Sequence, residues 1–101
     1  DDEAAQAISL ALHEFVTNSI KYGALAGRGD LAVAWRHVGD DIELSWIEGN
    51  LPETPDIDNE SFGTQFIRTL IERQLKGSWT RTAADHRLVI TIRWPDRDIA
   101  H

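Results

Sequence analysis

A chain of 101 residues, 42% hydrophobic and carrying four tryptophans, reads as one domain with enough apolar material for a two-layer core. Its formal net charge of −7 argues against nucleic acid and anionic lipid as partners, although Mg2+ and local donors would let an acidic domain take a nucleotide. The absence of cysteine excludes a disulfide scaffold, a thiol nucleophile and a thiolate metal site, and fits a reducing cytoplasm. No apolar run approaches the roughly 18 residues that span a bilayer, so no direct membrane contact is expected. The acidic start DDEAAQ argues against a secretory signal peptide and looks cut from something longer.

The first helix is predicted over residues 2–22, with an acidic first turn suited to the helix dipole and Gly23 as its stop. Residues 31–38 alternate, with Leu31, Val33 and Trp35 on one phase. After the turn Gly39-Asp40-Asp41, Ile42, Leu44 and Trp46 alternate again, giving a β-hairpin. Residues 49–61 hold Pro52, Pro55 and no clear period, a loop long enough to suggest a functional lid. Its oxygen-bearing residues Asp56, Asp58, Asn59 and Glu60 read as solvated lid rather than a calcium site. A second helix is expected over residues 63–75, with Phe66, Ile67, Leu70, Ile71 and Leu75 on its apolar stripe and Gly77 beyond it. Residues 78–82 and 87–94 form a closing hairpin, with Leu88, Ile90, Ile92 and Trp94 on one phase. This order of elements favours an α/β fold with an antiparallel or mixed sheet and helices on one face.

Within the first helix, Glu14, Asn18, Lys21 and Tyr22 fall within roughly 100° of arc. Ile8, Leu12, Phe15, Val16 and Ser19 cluster beside them. A carboxylate, an amide, an amine and a phenol thus share a stripe bordering a buried face, a set suited to a metal–phosphate group at one end and a flat ring at the other. One amide oxygen suffices for Mg2+, which takes its other ligands from water and phosphate, so Asn18 is the expected metal ligand. Glu14, one turn earlier, is placed to hold a metal-bound water or accept a proton. Lys21 supplies a point charge for a phosphate. Tyr22 has two readings, core filler at the helix end or a contact to the nucleotide. Glu48 continues the inward phase of Ile42, Leu44 and Trp46, and a carboxylate there needs a hydrogen-bond partner such as an exocyclic amine. Gly63, Thr64 and Gln65 open the second helix, where free N–H groups attract phosphate. Trp35, Trp46 and Trp94 read as core, and His13 as structural; His37, His86 and His101 belong to no constellation.

The run HEFVTNSIKYGAL, with His13 before Glu14, together with Trp46-Ile47-Glu48, SFGTQFIRTLIERQL and VITIRWP, resembles the catalytic domain of HWE-type sensor histidine kinases. The resemblance covers nearly the whole chain in the right order. It implies the Bergerat (GHKL) two-layer α/β sandwich, a mixed and mostly antiparallel sheet with helices on one face, as one domain over residues 1–101. It implies Mg2+ and ATP as cofactors, bound by Asn18, Lys21, Tyr22, Glu48, Gly49, Gly63, Thr64 and Gln65. Asn18 would hold the metal, Glu48 would read adenine, and Glu14 would orient or deprotonate the acceptor imidazole. The implied partners are a dimerisation and phosphoacceptor domain, absent here, and a response regulator, with the fragment monomeric, the parent dimeric and both cytoplasmic.

The family pattern E-x-G-G-P stands here as Glu48-Gly49-Asn50-Leu51-Pro52, and G-F-G-T as Ser61-Phe62-Gly63-Thr64. Glycines are therefore replaced at Asn50, Leu51 and Ser61, which is expected to crowd the nucleotide or stiffen the lid. The alternative function is a degenerate binding module of the same fold that docks a regulator or partner domain without ATP. A third is an ATPase in which Glu14 activates water.

Overall fold

The first helix, α1 (Asp2–Tyr22), is amphipathic because its apolar residues recur at helical spacing. It buries Ala7, Ile8, Ala11, Phe15 and Ser19. The helix ends where Gly23 N–H donates to Ser19 O at 2.9 Å, and the basic Lys21 sits in its last turn. A short 3-10 turn (Ala24–Ala26), which the periodicity does not predict, closes at Gly27 in the left-handed region, φ 84°. The structure is a computed structural model describing residues 2–58 and 61–96; Asn59, Glu60 and His101 lie outside the described residues.

Four strands follow, β1 (Asp30–Val38), β2 (Asp41–Gly49), β3 (Ser78–Ala84) and β4 (Arg87–Pro95), with α2 (Phe62–Gln74) between β2 and β3. They form one sheet in the order β1-β2-β4-β3, and every neighbouring pair is antiparallel. The antiparallel alternative of the element order holds, and of the mixed, mostly antiparallel sheet that the resemblance implies only the parallel part is missing among the described strands. After the α2 crossover β3 runs in the same sense as β2, but β4 lies between them, so no parallel pair forms. The β3–β4 turn is tight because Asp85 and His86 both take positive φ, 52° and 63°.

One sheet face is covered by the helices. Leu44, Trp46 and Glu48 of β2 and Leu88, Ile90, Ile92 and Trp94 of β4 are buried there, as the alternation predicts. Phe15 fastens α1 to this face, its ring 5.5 Å from that of Trp46 and 5.4 Å from that of Trp79. From α2, Ile67 and Ile71 are buried with Leu75. Two core expectations are corrected. Trp35 is 52% exposed, because β1 is the outermost strand and the helices leave its inward positions Val33 and Trp35 open; Trp35 packs edge-on against Trp94 at 6.0 Å. Phe66 is 55% exposed, because the buried stripe of α2 centres on Ile67 and Ile71 and the preceding residue points about 100° away from it.

Candidate functional site

The helical spacing of α1 puts Asn18 one turn after Glu14, and Asn18 Nδ2 donates to Glu14 Oε2 at 3.2 Å. Because the amide nitrogen is engaged, Oδ1 is the Asn18 atom left to meet a cation. The start of α2 comes against this pair. Ser61 is the N-cap, its Oγ accepting from Thr64 N–H at 3.1 Å. Ser61 Oγ also lies 2.9 Å from Thr64 Oγ1 and 3.3 Å from Glu14 Oε2, and Thr64 Oγ1 lies 3.5 Å from the same Glu14 oxygen. A Cβ at Gly63 would stand 2.7 Å from both Glu14 oxygens, so a side chain there would displace the Glu14 carboxylate.

A second polar cluster sits where α1 ends over β2. Glu48 is 3% exposed, yet each of its oxygens has a partner. Oε1 accepts from Ser19 Oγ at 2.8 Å and from Ala24 N–H at 2.7 Å, and Oε2 accepts from Trp46 Nε1 at 2.9 Å. Ser19 Oγ in turn accepts from Leu25 N–H at 3.0 Å. A Cβ at Gly23 would collide with the Glu48 carboxylate, so the helix stop also makes room for the acid.

A cavity of about 640 Å3 draws part of its wall from each cluster, Asn18, Ser61 and Thr64 from the first and Glu48, with Tyr22, at the second; Glu14 and Gly63 do not line it. The lid borders it as well. Leu51 is buried, its N–H donating to His86 O at 3.0 Å, and the His86 ring meets Leu51 O at 2.9 Å. His86 N–H donates to Thr54 Oγ1 at 2.8 Å. Asp56 and Asp58 are exposed, with Asp58 N–H bonded to Asp56 Oδ1.

Of the residues the sequence singles out, Glu14, Asn18, Gly63 and Thr64 come together, and Glu48 and Tyr22 share the cavity wall. Tyr22 is 80% exposed, which removes its reading as core filler. Lys21, in the last turn of α1, is exposed and does not line the cavity; neither does Gly49. Gln65 is exposed, its N–H donating to Ser61 O at 3.1 Å. Because Thr64 N–H is bonded to Ser61 Oγ as well, Gly63 alone of the three keeps a backbone N–H without a bond among the described residues. His13 is exposed. Sequence reasoning did not assign Ser19, which bonds Glu48, His86, which holds Leu51, or Arg28 and Arg81, which line the cavity, and it took Ser61 only as a replaced glycine. Ser19 carries a readable signal, a hydroxyl on an apolar helix face.

Among the described residues no group of three or more His, Cys, Asp or Glu is placed to hold a metal. The donor set is one amide oxygen beside one carboxylate, which fits a hard cation that takes most of its ligands from water and phosphate.

No protein-family model matches the chain. The blue-light-activated histidine kinase of Rhizobium johnstonii is 34% identical over 93 residues, covering 89% of this chain and 27% of that protein. The proteins of the same name from Brucella ovis and Brucella melitensis are 29% identical over 99 residues, covering 93% of this chain and 20% of theirs. The chain is related to histidine kinases. It spans about a quarter of the length of these histidine kinases or less. The solved structure of Acinetobacter baumannii histidine kinase AdeS matches with a TM-score of 0.74 at 18% identity, over 91% of this chain and 47% of that one. That match shows the histidine kinase to share the fold seen here: α/β, one antiparallel sheet and two helices. Among the described residues no helix is long and apolar enough to cross a membrane.

Proposed function

We propose that the chain is the ATP-binding catalytic domain, of Bergerat fold and HWE type, of a cytoplasmic two-component sensor histidine kinase. Its reaction is transfer of the γ-phosphoryl of ATP to a histidine on a separate dimerisation domain, from which a response regulator receives it. One observation carries the reading: Asn18, held by Glu14, lines a cavity together with Ser61 and Thr64 at the N-terminus of α2 and with the buried Glu48.

Asn18 Oδ1 would hold Mg2+, which when bound supplies positive charge against the phosphates. Glu14 fixes the Asn18 amide and, through Ser61, the start of α2, so the metal ligand and the phosphate end of the helix are positioned together. Gly63 N–H offers a donor to a phosphate at that helix end. Glu14 Oε1 takes none of these hydrogen bonds and is the atom suited to orient or deprotonate an incoming imidazole. Glu48, held by Ser19, Ala24 and Trp46, presents an acceptor to an exocyclic amine.

Calorimetric titration with ATP, with and without Mg2+, tests the reading. Magnesium-dependent binding is expected, and Asn18→Ala should weaken it about tenfold, or 1.4 kcal/mol. Glu14→Ala should abolish transfer to the acceptor domain while leaving affinity within severalfold. The buried Leu51, clamped to His86, favours the second reading of a docking module that does not use ATP. Absence of binding at millimolar ATP would decide for it.

A further inference from the structure

Two side chains of β3 keep a buried donor without a partner among the described residues, Trp79 through its indole Nε1 and Arg81; Arg81 is the charged one. It lies on β3 between Trp79 and Ala83 on the inward phase, opposite Ile90 of β4. Its Nη1 is buried and has no hydrogen-bond partner. In a domain of net charge −7 a guanidinium normally finds a carboxylate, yet none pairs with this one among the described residues. A buried donor left unpaired is costly, so its persistence asks for an acceptor that arrives from outside the fold.

The register says where that acceptor would lie. Glu48 stands opposite Leu88, and Arg81 opposite Ile90, so the acid and the guanidinium flank β4 from its two sides. Two strand spacings across the sheet and two residues along β4 separate their backbones, roughly 12 Å. Both residues line the 640 Å3 cavity and a smaller one of about 20 Å3, whose wall holds Asn18 and Thr64 beside Phe15, Trp79, Leu88 and Ile90. Leu88 and Ile90, the β4 partners of Glu48 and Arg81, make an apolar floor between an acceptor on one flank and a donor on the other, which suits a flat heteroaromatic ring.

We propose that Arg81 is a base-reading residue, donating to a ring-nitrogen acceptor of a purine whose exocyclic amine meets Glu48. The inference rests on the nucleotide reading given above. To the amine contact at Glu48 it adds a second contact to the same base, at a ring nitrogen that only Arg81 reads. The rival occupant is one water, for which the smaller cavity has room.

The test compares ATP, adenosine, 1-deaza-ATP and 7-deaza-ATP by calorimetry on the wild-type chain and on Arg81→Met. One of the two deaza analogues is expected to bind wild type roughly tenfold more weakly than ATP, as loss of one charged hydrogen bond implies. Arg81→Met should weaken ATP and adenosine by that same factor and no longer distinguish ATP from that analogue. A variant that weakens ATP but not adenosine would place Arg81 on the phosphates and overturn the proposal. Unchanged affinities would leave a bound water as its partner and overturn it too. If Arg81→Met does not fold, the wild-type comparison decides alone: equal binding of ATP and both analogues refutes base reading. Failure of wild type to bind any of the four would instead refute the nucleotide reading itself.

Discussion

Glu48 shows how much one buried carboxylate can organise. Its oxygens receive a helix hydroxyl, a backbone N–H and an indole N–H from three separate parts of the chain. Glutamine in its place offers one acceptor oxygen and one NH2, so either Ala24 N–H or Trp46 Nε1–H would face another donor. Glu48→Gln is therefore expected to lower stability by about 1–3 kcal/mol in urea unfolding, with an unchanged m-value. A neutral result would mean that the carboxylate is not the hub described. Sequence pattern makes Glu48 conspicuous, as an acid on an inward phase, but not its partners. Ser19 and Ala24 lie 29 and 24 residues away, a distance that only the fold closes. The same holds for Arg81, whose burial depends on what stands across the sheet rather than on its neighbours in β3.

At the scale of elements, both helices and both hairpins were legible because each buries one face and so imposes its own period. Coverage was not legible: the alternation of β1 resembles that of β2, yet only β2 lies under the helices, and Trp35 is exposed for that reason. Two of the replaced glycines also acquire a local account. Asn50 takes φ 53°, a conformation asparagine tolerates better than most residues, and its side chain donates to Asp30. Ser61 caps α2. Ser61→Ala should then cost about 1 kcal/mol, whereas Ser61→Gly, the residue of the family pattern, should cost only a few tenths. Equal losses for the two would show that the cap contributes little. The lid is held at one end by His86, through its ring to Leu51 O and its N–H to Thr54. His86→Ala removes the ring bond and is expected to speed hydrogen exchange of the non-proline amides of residues 51–58 while leaving those of β2 and β4 unchanged. Uniform acceleration across the sheet would instead mark His86 as a global stabiliser.

Across the whole molecule, the cavity draws its wall from α1, β2, the lid, the N-terminus of α2, β3 and β4. No subset of these elements forms it alone, so a ligand seated there binds the folded state and has no comparable site in the unfolded chain. Linkage then requires the ligand to stabilise the whole fold by RT ln(1 + [L]/Kd), about 2.7 kcal/mol at a hundredfold excess over Kd. A domain of this size responds with a rise in Tm of several degrees for each kcal/mol. Mg-ATP is expected to raise the Tm and ATP without Mg2+ to raise it less, the difference collapsing in Asn18→Ala, whose cation ligand is gone. Glu48→Gln separates stability from binding in the same experiment: its ligand-free Tm should fall, and its response to Mg-ATP should also shrink, because one change disturbs both the packing of α1 on β2 and the reading of the amine. A variant that starts lower but gains as much from Mg-ATP as wild type would confine Glu48 to holding the fold, and the base would have to be read elsewhere on the cavity wall.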